Sequence, residues 1–290
     1  MERNTAPLTL RFLARITRSL PGRRIAGAVY FRIVRRIWRR CKQGSYVLSI
    51  WDGIRMLVDP ADYIGGMLAF IPHLYERWEM AAIKEALPKG GVLVDLGSNI
   101  GTYALRAARW AGSRGRVIAV EPDGDNYRTL CYNVRLNCLE SVVATHRCGV
   151  SDQREALLLY HSVTGNRGGH NFSGRGSLPT QTVCFPLYEI LKRSNVERVD
   201  VLKMDIEGFE SRVLERYFED VPSGSPLMPQ YVLVEINGGP ASQEDKRRLR
   251  TLLAAQGYVL VRDGENSLYC SSACFVLHGH GAQQRFAHRQ

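Results

Sequence analysis

Residues 91–101, GVLVDLGSNIG, restrict the fold of this chain more than any other stretch. The first half of the stretch is apolar and β-branched, which predicts a strand buried on both faces. Asp95 follows, then Gly97 and Gly101, and a helical apolar pattern begins at once with Tyr103. A strand, a glycine turn and a helix in this order predict an α/β fold in which a ligand reaches the backbone above the strand end.

The spacing of the turn indicates what that ligand is. The pattern D-x-G-x-x-x-G differs from the G-x-G-x-x-G of dinucleotide sites, and Asp95 suits an amino group or a sulfonium better than a phosphate. The next predicted strand, residues 116–120, ends at Glu121, which is placed to accept both hydroxyls of a ribose. An amino acid joined to a ribose indicates S-adenosylmethionine; a structural turn without a ligand is the alternative. The candidate contacts are Asp95, Gly97, Ser98, Asn99, Gly101, Glu121 and Pro122.

The charge of the chain is concentrated at its start. The 290 residues carry a net charge of +11, and residues 1–42 contain twelve of the 39 basic residues but one of the 28 acidic ones. That segment alone therefore accounts for +11 and the remainder is neutral, which argues against a nucleic-acid cleft. The seven cysteines include no C-x-x-C pair, so neither a disulfide framework nor a zinc site is indicated, and a reducing cytoplasm is expected.

Residues 25–42 predict an amphipathic helix with arginines on one face. Three interpretations stay open. The helix lies on an anionic membrane surface with Trp38 and Phe31 among the headgroups, or packs its apolar face on the rest of the protein, or forms an organellar presequence. The predicted apolar face consists of Ala26, Val29, Tyr30, Phe31, Ile33, Val34, Ile37 and Trp38.

The remaining pattern completes an α/β chain. A hairpin is predicted over 46–58, a helical stretch through Tyr75 and Glu76 to Leu87, and a third core strand over 142–147. Gly149, Val150 and Ser151 follow that strand and are candidate adenine contacts, an ordinary turn being the alternative. Further strands are predicted over 156–161, 180–185, 199–204, 231–236, 258–262 and 267–277. The predicted division is a basic arm (1–44), a hairpin and helical lid (45–90), a catalytic domain (91–278) and a disordered tail (279–290).

Residues 162–179 form a long polar loop rich in glycine. Loops of this length in compact domains are functional or disordered. Asn166, His170 and Asn171 are therefore candidate acceptor contacts in a flap, with a linker of no function as the alternative.

Lys203, Asp205 and Glu207 alternate at the end of a predicted core strand, where ligands bind in open α/β sheets. Two acids and a base crowded there indicate chemistry or cation binding. Asp205 is the candidate base, supported by Glu207 and tuned by Lys203. Two alternatives are Glu207 as the N-terminal acid of the following helix, and a magnesium ion on Asp205, Glu207 and Glu235. The magnesium ion is disfavoured because no dedicated cage is evident.

These motifs resemble the FkbM family of S-adenosylmethionine-dependent methyltransferases. The resemblance covers roughly residues 70–265 and its specific part is KMDIEGFE, residues 203–210; residues 97–101 read GSNIG where the family pattern has G-A-N-x-G. It implies a Rossmann-like class I fold, a mostly parallel seven-stranded sheet with an antiparallel last strand and helices on both faces, preceded here by the basic amphipathic helix. It also adds Glu76 and Asp205 to the candidate cofactor contacts.

The activity that the resemblance implies is O-methylation of a sugar, glycolipid or small natural product. We expect a cytoplasmic enzyme, which is peripheral at the membrane if the basic helix binds lipid. A nucleic-acid methyltransferase is one rival, disfavoured by the neutral body and by the absence of an N-P-P-Y-type sequence where Lys203–Glu207 stands. A cofactor-binding scaffold without catalysis is the second. The sequence does not determine the acceptor or the oligomeric state.

Overall fold

A seven-stranded sheet organises the part of the chain that the structure describes. The computed structural model describes residues 6–41, 44–51, 53–162, 169–172, 177–235, 240–263 and 266–271. The strands in chain order are β1 (Tyr46–Trp51), β2 (Ile54–Val58), β3 (Val92–Leu96), β4 (Arg116–Val120), β5 (Val143–His146), β6 (Gly149–Val150), β7 (Glu155–His161), β8 (Ser177–Phe185), β9 (Val201–Met204), β10 (Tyr231–Glu235), β11 (Tyr258–Arg262) and β12 (Asn266–Ser271). The helices are α1 (Leu8–Ser19), α2 (Arg23–Val29), α3 (Arg35–Cys41), α4 (Tyr63–Phe70), α5 (Arg77–Ala86), α6 (Thr102–Ala111), α7 (Gly124–Leu136), α8 (Leu187–Arg193), α9 (Glu210–Asp220) and α10 (Pro240–Ala255), and a π-helical turn, Tyr30–Val34, joins α2 to α3.

The large sheet has the order β11-β12-β10-β9-β3-β4-β5. β10, β9, β3, β4 and β5 pair in parallel, whereas β12 runs antiparallel to both of its neighbours. The chain order reverses between β3 and β9, and ligands bind at such a reversal in open α/β sheets. The Rossmann-like fold with an antiparallel last strand is confirmed.

Alternation along the strands divides the core between the two faces of the sheet. Leu93 and Val201 lie in one apolar cluster with residues of α5, α6 and α7, and Val94 and Leu202 lie in the other with residues of α8, α9 and α10. Side chains that alternate in this way place helices on both sides of a parallel sheet. The carboxyl ends of β3, β4 and β9 then meet at one edge.

The hairpin β1–β2 and the helices after it lie beside that edge. The pairing of β1 with β2 confirms the hairpin. The backbone N–H of Leu57 donates to the side-chain oxygen of Asn133 on α7, and that of Arg55 donates to the side-chain oxygen of Asn137, the residue that follows α7. These two bonds hold the hairpin against the body. The prediction of a continuous helix to Leu87 was wrong: α4 ends at Phe70 and α5 begins at Arg77. Pro72 explains the break, because the residue before a proline is disfavoured in helical geometry.

The basic helix packs on the body through a narrow stripe. Ala26, Tyr30, Val34 and Trp38 are buried in the same cluster as α4 to α7. In an ideal α-helix, each step of four residues rotates the side-chain direction about 40° beyond a full turn. The wider π turn at Tyr30–Val34 reduces this rotation. The body covers only part of the predicted apolar face, because Phe31, Ile33 and Ile37 are exposed. Trp38 is buried between Tyr46 and Phe70, so it is not a headgroup contact.

A small second sheet, β6-β8-β7, follows β5. Its strands β7 and β8 confirm the two strands predicted on either side of the polar loop. Asn166, the tail over 279–290 and the end of the last predicted strand lie outside the described residues. No helix in the described ranges combines the length and the apolarity that crossing a bilayer requires.

Candidate active site

The glycine turn after β3 presses against the end of β9. Gly97 has φ 77°, and a Cβ placed on it would lie 1.9 Å from the carbonyl oxygen of Asp205. The N–H groups of Gly97 and Ser98 both donate to the carbonyl of Val120 at the end of β4. Only glycine allows the turn to lie against both neighbouring strands, because any side chain would displace a backbone carbonyl.

Glu121 joins the turn to the next crossover. One carboxylate oxygen accepts the N–H of Asn99 at 2.8 Å, and the other accepts the N–H of Asp123 at 2.9 Å. Burial raises the pKa of Glu121 to about 7, although these two backbone donors oppose the shift. Each carboxylate oxygen can accept a second hydrogen bond, so Glu121, which also lines the cavity described below, can still receive hydroxyls.

Lys203 connects the glycine turn to the end of β9. Its ammonium lies 3.4 Å from Asp95, 3.7 Å from Asp205 and 3.1 Å from the carbonyl of Gly97. Burial alone would lower the pKa of Lys203, but Asp95 and Asp205 together raise it above its usual value. Asp95 is fully buried, does not line the cavity and faces Lys203. The cation beside Asp95 is thus a side chain of this protein, which the sequence did not indicate.

A cavity of about 380 Å³ lies over the carboxyl ends of β3, β4 and β9. That volume falls in the usual range for small-molecule sites. Several predicted residues line it: Glu76, Gly97, Asn99, Glu121, Pro122, Gly149, Val150, His170, Lys203, Asp205 and Glu207. Others do not: the hydroxyl of Ser98 donates to the carbonyl of Asp95, that of Ser151 donates to Glu155, and Gly101 is the N-cap residue that precedes α6.

The wall of the cavity beside Lys203 is acidic. Glu76 has a left-handed backbone, φ 38°, and its buried Oε2 has no hydrogen-bond partner. Burial raises the pKa of Glu76 to about 7 and, with help from the charge of Asp205, that of Glu235 to about 9. An unsatisfied buried carboxylate oxygen in a strained residue fits a site that receives a donor group from a ligand.

Glu207 faces the cavity, with φ 56°, and the role of N-terminal acid belongs to Glu210. Glu210 is the first residue of α9, and its carboxylate accepts the N–H groups of Ile206 and Gly208. The KMDIEGFE motif therefore divides its acids: the first two face the cavity and the last one closes the turn. The N-terminal acid of α9 is therefore Glu210 and not Glu207, for which the sequence offered that role as an alternative.

His170 and Phe172 bring the polar loop to the cavity, whereas Asn171 pairs with Tyr160 through the backbone. Nitrogen and oxygen atoms of Asp123, His161 and His170 lie within 4.8 Å of one another, the one such group in the described chain. The Nδ1 of His170 accepts the N–H of Ser162, which leaves the proton on Nε2 and favours a hydrogen-bonded cluster over a metal site.

The aromatic side chains that line the cavity were not predicted from the sequence. Tyr63, Tyr75, Tyr103 and Phe172 line the cavity, as does Asn126 on α7. Their positions in helices and connecting segments carry no motif, because an aromatic residue at helical spacing is more often a core residue. The cavity brings together Tyr63 from α4, Tyr103 from α6 and residues of the connecting segments, which are far apart along the chain.

Comparison with known proteins shows the family of the chain. A family profile described as the methyltransferase FkbM domain matches residues 95–260, more than half of the chain. Hexuronic acid methyltransferase AglP of Haloferax volcanii is 29% identical over 155 residues, which cover 53% of this chain and 59% of that protein. Methyltransferase sdnD of Sordaria araneosa is 27% identical over 164 residues, 46% of this chain and 63% of that protein. The chain thus spans about three fifths of the length of each.

Solved structures with related folds are more distant. Fibrillarin of Aeropyrum pernix, with bound S-adenosyl-L-methionine, has a TM-score of 0.41 and 18% identity, covering 66% of this chain and 73% of that one. The TYW2 protein of M. jannaschii in complex with AdoMet has a TM-score of 0.41 and 13% identity, covering 79% of this chain and 84% of that one.

Proposed function

Because the chain belongs to the FkbM family of methyltransferases, we propose that it transfers a methyl group from S-adenosylmethionine to a hydroxyl of a sugar, glycolipid or small natural product. The observation that carries the proposal is the acid-walled cavity at the chain reversal of the sheet, with Gly97 at its floor. A neutral hydroxyl is the acceptor that such a wall suits, since a carboxylate there can accept its proton.

The residues present fit the methyl donor. Glu121 and Gly97 line the cavity, which supports contacts of Glu121 with the ribose hydroxyls and a close approach of the ligand to the Gly97 turn. Gly149 and Val150 form the wall at the end predicted for adenine. Glu76 offers its unpartnered Oε2 to a donor group such as an amino group. When bound, the sulfonium supplies an activated methyl group, so the protein needs to contribute orientation and a base.

We assign the base to Asp205. It lies in the cavity directly after β9, and its backbone N–H donates to the carbonyl of Leu96, which fixes its position. Lys203 holds its carboxylate from one side, and Glu207 faces the same space. In this arrangement Asp205 takes the proton of the acceptor hydroxyl, while Lys203 remains charged.

Asp205→Asn tests this assignment. The amide cannot take a proton, so turnover should fall about 10²–10⁴-fold. The affinity for S-adenosylhomocysteine, measured by calorimetry, should change little because the isosteric side chain keeps the cavity shape. Unchanged turnover would remove Asp205 from the mechanism.

A labelling experiment tests the acceptor class, and a chelator added to the same reaction tests whether a metal is used. The relative AglP carries hexuronic acid in its name, which supports a sugar acceptor. Fractionated glycans, lipids and small molecules should be incubated with a labelled methyl donor, and the label should enter a glycan or glycolipid fraction. We expect no effect of a chelator, since Asp205, Glu207 and Glu235 form no group of mutually close ligand atoms among the described residues. Label in nucleic acid alone would refute the proposal.

A further inference from the structure

The first two helical segments expose apolar side chains in rows. Leu8, Phe12 and Ile16 of α1 recur every four residues and are 80%, 65% and 39% exposed. On the second segment, which consists of α2, the π-helical turn and α3, the side chains of Ile25, Phe31, Ile33 and Ile37 are between 41% and 53% exposed. Seven of the nine large apolar side chains that are exposed in the described chain therefore lie within residues 8–37. We call these seven the outer row.

The outer row is held outward by the packing of the opposite face. The hydroxyl of Thr17 donates to the carbonyl of Phe70 at 2.7 Å, and Leu10 is fully buried. The guanidinium of Arg18 donates to the carbonyls of Ala69, Leu68 and Ser49. Helix α1 is thus fixed to the body by its inner face, so it cannot turn its outer row inward without losing these bonds.

Arginines without acidic partners surround the outer row. Arg11, Arg15, Arg32, Arg36 and Arg39 are exposed, and none of the ion pairs found among the described residues includes a residue of 6–41. The partner of this surface must therefore supply both an apolar phase and negative charge. An anionic bilayer surface supplies both, with acyl chains for the outer row and phosphates for the arginines.

Other occupants fit less well. A second copy of this chain would bring two segments of charge +11 together, which is repulsive. A nucleic acid would pair with the arginines but would leave the aliphatic side chains of the outer row in water. The observations favour the bilayer.

The same surface borders the cavity. The ring of Phe31 stacks on that of Tyr63 with centroids 6.4 Å apart, and the guanidinium of Arg35 lies 5.4 Å from the Tyr63 ring centroid. Tyr63 itself lines the cavity. We infer that the outer row and its arginines dock the protein on an anionic membrane surface and place the cavity beside the lipid headgroups. The further consequence, an acceptor hydroxyl carried on a lipid, rests on the proposed function.

Vesicle flotation tests the apolar contribution. The full chain should float with vesicles in which half of the phosphatidylcholine is replaced by phosphatidylglycerol. Phe12→Ser with Ile16→Ser should weaken that binding by about tenfold per side chain removed. Leu158→Ser is the matched control, since Leu158 on β7 is 48% exposed and lies outside the surface, and it should bind as the wild type does.

The same assay tests the charge contribution. Arg32→Gln with Arg36→Gln should weaken binding by about fivefold per arginine, and added salt should reduce binding of the wild type. Arg109→Gln, which removes an exposed arginine from α6, should have no effect. Vesicles of phosphatidylcholine alone should bind weakly.

The inference is overturned if the wild type fails to float with anionic vesicles, or floats equally well with neutral ones. It is also overturned if Phe12→Ser with Ile16→Ser leaves flotation unchanged and instead lowers the molar mass at sedimentation equilibrium, which would identify a second copy as the occupant. Calorimetry with S-adenosylhomocysteine on the same samples separates the two proposals. Flotation without cofactor binding refutes the enzyme assignment alone, and cofactor binding without flotation refutes docking alone.

Discussion

Gly97→Ala is expected to disable the enzyme without unfolding it. The alanine Cβ would lie 1.9 Å from the carbonyl oxygen of Asp205, whereas ordinary contacts begin at 3.4 Å. The carbonyl must therefore move by roughly 1.5 Å, since a packed interior offers no other adjustment between two backbones. A displacement of about 1 Å in a catalytic group can lower turnover on the order of 100-fold. We expect a loss of that size in kcat, because Asp205 is the candidate base.

The matched control is Gly224→Ala. Gly224 has φ 81°, close to the 77° of Gly97, and nothing lies within 4 Å of the position of its Cβ. Both variants carry the strain of a left-handed alanine, about 1–2 kcal/mol in the free energy of unfolding. Only Gly97→Ala carries the collision. Single-turnover kinetics and urea unfolding should be measured on both variants, and a Gly97→Ala enzyme that is folded and within threefold of wild-type kcat would refute the reasoning.

Three further changes test the buried groups. Lys203→Met should cost about 3–5 kcal/mol in unfolding free energy because it leaves Asp95 buried and unpaired. Adding Asp95→Asn should restore stability but not turnover. A double variant as unstable as the single one would contradict the pairing. Burial raises the pKa of Glu76 from 4.5 to about 7, so the folded state keeps a proton that the unfolded chain loses. Stability should therefore fall by at most about 3 kcal/mol as the pH rises through that window, and urea unfolding at pH 5 and 8 should show a smaller fall in Glu76→Gln. Trp38→Ala should lower the unfolding free energy by about 3–5 kcal/mol and the exposed neighbour variant Ile37→Ala by much less; equal melting temperatures would show that the stripe contributes nothing.

Most of the sheet could be predicted from the sequence, and most directly β3, β4, β9 and β10, because each is a mainly apolar run that ends at or just before a glycine or an acid. The position of the cavity could also be predicted from the sequence. The residues of the glycine turn are adjacent along the chain, and Glu121 is only one crossover away. The partner of Asp95 could not be predicted, because strand register between β3 and β9 is set by tertiary packing. The exposed face of residues 25–37 was also beyond the sequence. A helical wheel shows which residues are apolar, but the π turn and the body decide which of them are covered.

The register of β3 against β9 explains why two motifs more than 100 residues apart act together. Asp95 and Lys203 are direct neighbours across the parallel pair, and Asp205 follows two residues later, beyond the end of the strand. Lys203 can therefore neutralise the buried acid below it and hold the cavity acid beside it at the same time. A buried ion pair contributes little net stability compared with apolar packing, so stability alone does not account for this lysine. Its position is accounted for if the charge serves Asp205, with Asp95 present to keep the ammonium in place.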